Sequence, residues 1–205
     1  MTEIELKSIS SAFKDISPLI QEREELLKLL NRNRRKLRTK HNKYNFLRQV
    51  VDENSCGNEL VNAIVLLLKD LGIGKVENVD KKYLDEDIRL WVDNLLLIFE
   101  VTGIPTENPK DDKVHQISKH IPIRKTQNPN KNVFGVFVVN HDNKKHYLKR
   151  TKHVFSQRLV NIAESHQYVL ITTVDLLKAY CLIKDNEMTT DEFIKKLCTP
   201  GVFKI

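Results

Sequence analysis

The residues best placed to do chemistry in this chain are acids in apolar company. Glu100 sits in the run Leu95-Leu-Leu-Ile-Phe-Glu-Val101, whose other members all suit a core. A carboxylate there is costly to bury unless something matches its charge. Asp87 opens the preceding run, Asp87-Ile-Arg-Leu-Trp-Val92, and Asp93-Asn94 between the runs is turn chemistry. A two-residue turn pairs Val92 with Leu95, and counting outward from that pair puts Asp87 opposite Glu100. Like charges directly opposite destabilise a sheet unless a cation lies between them. Glu59, in a helical run upstream, is a third acid of the set. Magnesium takes oxygen ligands, usually one or two carboxylates with waters and substrate phosphates. It polarises a scissile phosphate and lowers the pKa of a bound water. The competing arrangement puts Asp87 in an exposed Asp85-Glu86-Asp87 turn and pairs Glu100 with an arginine.

The elements that would position these acids follow from periodicity and turn signals. Glu59 begins Glu-Leu-Val-Asn-Ala-Ile-Val-Leu-Leu-Leu-Lys-Asp-Leu, a helical run closed by Gly72. Strands are expected near 75–79, 87–92 and 95–101, then a helix over 111–120 and a polar loop over 125–132. Val133–Val139 is a continuous apolar run, the kind buried on both faces of a parallel sheet. A helix over 153–166, a strand over 168–173 and closing helices over 174–184 and 191–197 complete the order. Mixed α/β architecture follows, a central sheet flanked by helices with its far side largely parallel. Trp91 alternates towards one sheet face and reads as core.

Upstream, Ser17-Pro18 reads as an N-cap with proline at the first helical position, and a long helix follows. Leu30, Leu37, Tyr44 and Val51 recur at heptad spacing with mostly polar partner positions, so a long helix is expected and a coiled coil is the further possibility. Residues 1–50 are therefore expected as an N-terminal helical extension and 51–205 as the main domain.

At 205 residues, with 40% hydrophobic and 30% charged residues, the chain can build a sizeable core and is not of disordered composition. The net charge of +7 favours a polyanionic partner. Cys56, Cys181 and Cys198 have no pairing or zinc-ligand spacing, so reduced thiols in a cytoplasm are expected. No signal-peptide pattern stands at the N-terminus, and no apolar run is long enough to cross a bilayer.

From Gly57 to Gly103 the residues resemble the restriction-endonuclease-like superfamily, the PD-(D/E)XK phosphodiesterases. That pattern is a helix bearing a glutamate, a strand opening on aspartate, a strand ending Glu-x-Lys, and a following helix with a glutamine. Glu59 resembles the first, Asp87 the second, Glu100-Val101-Thr102 the third and Gln116 the fourth. Val133–Asn140 and Val169–Leu177 resemble the later strands of bacterial members. The resemblance implies a nuclease fold with magnesium or manganese held by Glu59, Asp87, Glu100 and the Val101 carbonyl. It also implies that Gln116 positions the water.

The family's lysine is replaced by Thr102, whose hydroxyl can hydrogen-bond but carries no charge. Lys119, one turn beyond Gln116, is the candidate replacement. The resemblance thus implies a metal-dependent DNA endonuclease, or alternatively a catalytically inactive module that binds nucleic acid or a protein.

Two basic stretches point to DNA. Arg32, Arg34, Arg35 and Arg38 crowd the N-terminal helix without an acid among them, and that helix is a candidate for dimerisation as well. Lys144, Lys145, Lys149 and Arg150 crowd the segment after the apolar strand, with Tyr147 among them. For both stretches a plainly solvated surface is the competing reading.

Overall fold

A computed structural model describes residues 45–52, 54–79 and 86–205. All of them belong to one compact unit, Asn42–Ile205. The helix expected before residue 45, with Arg32, Arg34, Arg35 and Arg38, lies outside the described residues.

The sheet has six strands in chain order: β1 (Lys75–Asn78), β2 (Ile88–Val92), β3 (Leu95–Gly103), β4 (Asn132–Asn140), β5 (Tyr168–Thr172) and β6 (Gly201–Val202). β2 runs antiparallel to both β1 and β3, and β3 to β6 are parallel. Val92 faces Leu95 and Ile88 faces Phe99, the register that the Asp93-Asn94 turn implies. Asp93 takes a positive φ of 45° at that turn.

Helices α1 (Asn45–Val51), α2 (Gly57–Leu71) and α5 (Thr173–Lys184) cover one sheet face. α2 is apolar around most of its girth, with Leu60, Ile64, Leu67 and Leu68 fully buried. It stops at Gly72, whose left-handed φ of 69° lets its N–H reach the Lys69 carbonyl. The other face carries α3 (Asp111–Gln127) and α4 (Gln157–Ser165). There Leu96, Ile98, Phe137, Val139 and Leu170 pack with Val114, Ile117, Ile121 and Leu159. By strand alternation Glu100 and Thr102 share the face of Leu96 and Ile98. α6 (Thr190–Leu197), the last helix, starts under a capping box of Thr189 with Glu192 and leads into β6.

Several boundaries differ from expectation. α3 does not end near His120; it continues through Pro122 to Gln127, over residues expected to be loop. Proline removes one helical hydrogen bond. Ile121 in the core and Arg124 in a buried ion pair anchor the turns around it. α4 begins only at Gln157, where Ser156 caps it by accepting the Leu159 N–H. The strand β6 is too short to show as a pattern.

The ion pair fixes α3 to the sheet. Glu86, just before β2, has no exposed surface. Arg124 grips it with Nε 2.9 Å from Oε1 and Nη2 2.9 Å from Oε2. Arg89 adds Nε at 2.5 Å from Oε1. Glu86 is therefore a buried anchor and not part of an exposed turn. Burial pushes its carboxyl pKa up, but the bonds from Arg124 and Arg89 outweigh burial and hold it below the ordinary 4.5. Breaking a buried pair strands the other charge, so Arg124→Ala should cost about 3–5 kcal/mol of unfolding free energy in a denaturant titration. A carboxyl with a depressed folded pKa contributes fully above its unfolded pKa and loses that contribution as pH falls through the folded value. The stability advantage of wild type over Glu86→Gln should therefore shrink as pH drops below 4.5.

Candidate active site

At the mouth of the hairpin the regular ladder gives way to a side chain. The Asp87 N–H donates to the Phe99 carbonyl at 2.9 Å, and the Asp87 carbonyl accepts from Val79 at 3.0 Å. The Asp87 carboxylate then takes the Val101 N–H, Oδ2 at 2.7 Å. Asp87 is only 1% exposed. This bond lays its carboxylate against the peptide that joins Glu100 to Val101. Glu100 is half-buried. The two acids and the Val101 backbone are thus neighbours, as the turn register implies.

The other expected members are less tightly gathered. Glu59 is exposed on the first turn of α2. Among the described residues no three His, Cys, Asp or Glu side chains form a group able to hold a metal ion, so Glu59 is not gathered with Asp87 and Glu100 into one. Two carboxylates and a carbonyl are hard oxygen donors of the kind magnesium or manganese takes, with waters filling the remaining positions. Thr102 is half-buried, and so is Gln116 on α3. Lys119 is exposed, on a side of α3 away from the buried Val114, Ile117 and Ile121. Gly103 ends β3 against the loop before α2; a Cβ there would lie 2.5 Å from the Ser55 carbonyl oxygen. That close approach brings the N-terminus of α2, with Glu59, to the same sheet edge.

The basic segment also starts at that edge. β4 ends at Asn140, paired with Gly103. The Ile104 N–H donates to the Asn140 carbonyl at 3.0 Å, and Asp142 donates back to Thr106 at 2.9 Å. Lys144, Lys145 and Lys149 are exposed. Lys145 pairs with Asp142 at 3.2 Å and with Glu107 at 3.6 Å. Arg150 does not join them at the surface. It is 8% exposed, and its guanidinium donates to the Asn140 side chain, to the Val51 carbonyl at 2.9 Å and to the Lys145 carbonyl at 3.0 Å. Asn140 in turn donates to the Ser55 carbonyl at 2.9 Å and accepts from Thr173 Oγ1 at 3.1 Å. Beside them His141 is buried, its Nε2 2.9 Å from the Thr151 carbonyl, and burial lowers its pKa.

Glu86, Arg124 and Asn140 tie the elements around these acids together and are absent from the residues expected at the site. Asn140, polar at the end of the apolar run Val133–Val139, carried the one available signal.

The Asp87 carboxylate has a structural task separable from any chemistry. Asp87→Ala leaves the buried Val101 N–H without its acceptor and should cost about 1–3 kcal/mol. Asp87→Asn keeps an amide oxygen for that N–H and should unfold close to wild type in the same denaturant titration.

No protein-family model and no curated protein matches the chain. Among the solved structures that resemble it are two restriction-endonuclease chains. One is the restriction endonuclease FokI, with a TM-score of 0.56 and 14% identity over 86% of this chain and 34% of FokI. The other is the small subunit, R.BspD6I2, of the heterodimeric restriction endonuclease R.BspD6I. It has a TM-score of 0.50 and 12% identity over 77% of this chain and 86% of that subunit. The chain spans about a third of FokI, and at these identities the likeness is one of fold. The chain has a restriction-endonuclease-like fold, a mixed sheet flanked by helices on both faces.

Proposed function

We propose that the chain is a metal-dependent DNA endonuclease that hydrolyses phosphodiester bonds. The observation that supports this best is the Asp87 carboxylate, buried and held on the Val101 N–H beside Glu100. A magnesium or manganese ion there would polarise the scissile phosphate and acidify a bound water. Asp87, Glu100 and the Val101 carbonyl would hold it, and Glu59 would act through the water shell, since magnesium keeps several waters. Gln116 and the Thr102 hydroxyl orient the attacking water by hydrogen bonds. Lys119, on a flexible four-carbon stem, swings in to supply the charge that Thr102 lacks. Lys144, Lys145 and Lys149 contact phosphates, while Arg150 holds their loop in place. The N-terminal extension, residues 1–50 with Arg32, Arg34, Arg35 and Arg38, adds DNA contact, dimerisation or both. No described helix is long and apolar enough to cross a membrane, and a cytoplasmic setting suits a DNA substrate.

A second reading rests on Thr102 and on the exposure of Lys119. In it the chain is a nuclease-fold module that binds nucleic acid or a protein without cleaving.

Plasmid nicking with magnesium or manganese separates the two. The enzyme reading expects metal-dependent cleavage that Glu100→Ala reduces to background and Lys119→Ala lowers about 10²-fold. Tight, salt-sensitive and metal-independent binding without cleavage selects the second reading. Cleavage unchanged by Glu100→Ala overturns the assignment of the site.

A further inference from the structure

The basic segment carries an aromatic pair that phosphate contact alone does not use. His146 and Tyr147 stack with ring centroids 4.5 Å apart and planes 30° from parallel. Tyr147 is the inner ring: burial first, then Cys181 on α5, pushes its phenol pKa upward. His146 is exposed. One face of its imidazole lies on Tyr147, which leaves the opposite face to solvent.

The pair is held in place by its surroundings. The Leu148 N–H donates to His146 Nδ1 at 3.4 Å and restrains the ring. The Lys149 N–H donates to the His146 carbonyl at 2.8 Å in the short 3₁₀ turn Tyr147–Lys149. Arg150 ties the Lys145 carbonyl to the Val51 carbonyl at the end of α1. In the chain, exposed Lys144 and Lys149 stand on either side of the two ring residues. A restrained aromatic face between cations is what an unpaired nucleobase needs: a surface to stack on and charges for its backbone. In a duplex, neighbouring bases already cover both faces of each base, so such a platform favours single strands. Because the rings are ordered beforehand, binding loses little side-chain entropy.

We propose that His146, backed by Tyr147, is a stacking platform for an unpaired base, so that the nucleic acid this chain engages is single-stranded or locally opened DNA. The inference rests on the DNA reading above and narrows its substrate.

The test is fluorescence anisotropy in metal-free buffer with the full chain, using a labelled oligothymidylate and a duplex of equal length over a series of salt concentrations. A base–aromatic stack is worth enough that His146→Ala should weaken single-strand binding about five- to hundredfold. Duplex binding should change less than about twofold by the same reasoning. The dependence on salt should stay as in wild type, because no phosphate contact is removed. His146→Phe keeps a ring and should restore most of the affinity. Wild-type affinity in His146→Ala, equal losses on both DNAs, or no rescue by phenylalanine each overturns the platform. Wild-type binding to duplex but not to single strand also overturns it and leaves the DNA reading standing. Binding to neither removes both.

Discussion

A carboxylate with no surface must be matched by cations, and Glu86 draws them from two elements. Arg89 belongs to β2, the strand that Glu86 precedes. Arg124 belongs to the last turns of α3, 38 residues further along the chain. The grip therefore fixes the far end of α3 over the sheet, while Val114, Ile117 and Ile121 fix its length. Gln116 travels with that helix. Asp87 follows Glu86 directly, so the same anchor restrains the backbone that carries the candidate ligand. By strand alternation Arg89 shares the sheet face of Asp87 and Glu100.

The second constraint is the change of direction at β3. It pairs antiparallel with β2 and parallel with β4, so the start of β2 and the ends of β3, β4 and β5 come to one edge of the sheet. In open α/β sheets ligands bind outside the carboxyl ends of the strands. The groups collected there fit that rule: two acids, a basic segment and the N-terminus of α2. What keeps the segment from splaying away is Arg150. Its donors end on carbonyls of α1 and of the segment itself and on Asn140, which in turn holds the Ser55 carbonyl and Thr173. A buried cation held by carbonyl dipoles at the end of a helix is favourable in the same sense as a C-terminal cap.

How far the sequence could be read follows from the range of the interactions. The hairpin register was legible because turn chemistry at Asp93-Asn94 is local and a single slip would turn Glu100 to the other face. The burial of Glu86 has no local signal, because its partner Arg124 lies 38 residues away. The helix through Pro122 was cut short for the same reason: proline is a local breaker, and what overrides it is a core contact and an ion pair from elsewhere. Arg150 looked like one more basic surface residue because its acceptor at Val51 is 99 residues away. The acids of the candidate site, by contrast, announced themselves by being out of place in an apolar strand.

Thr102 is the position where fold and function part company. It lies opposite Val139 on a strand paired on both sides, and a β-branched residue suits such a strand. A lysine there would reach the edge from a rigid base. With threonine, the proposed cation comes from a helix surface, as with Lys119. A fixed charge stabilises a transition state better than a mobile one, because the mobile side chain must be ordered each time it acts. If this chain cleaves DNA, it therefore does so with less preorganisation than a strand-borne lysine provides, and slow turnover is the physical consequence. The loop that Arg150 anchors is untouched by that loss. In the reading proposed above, binding depends on that loop and cleavage on a cation near Thr102, so the two proposed functions are degrees of one site rather than opposites.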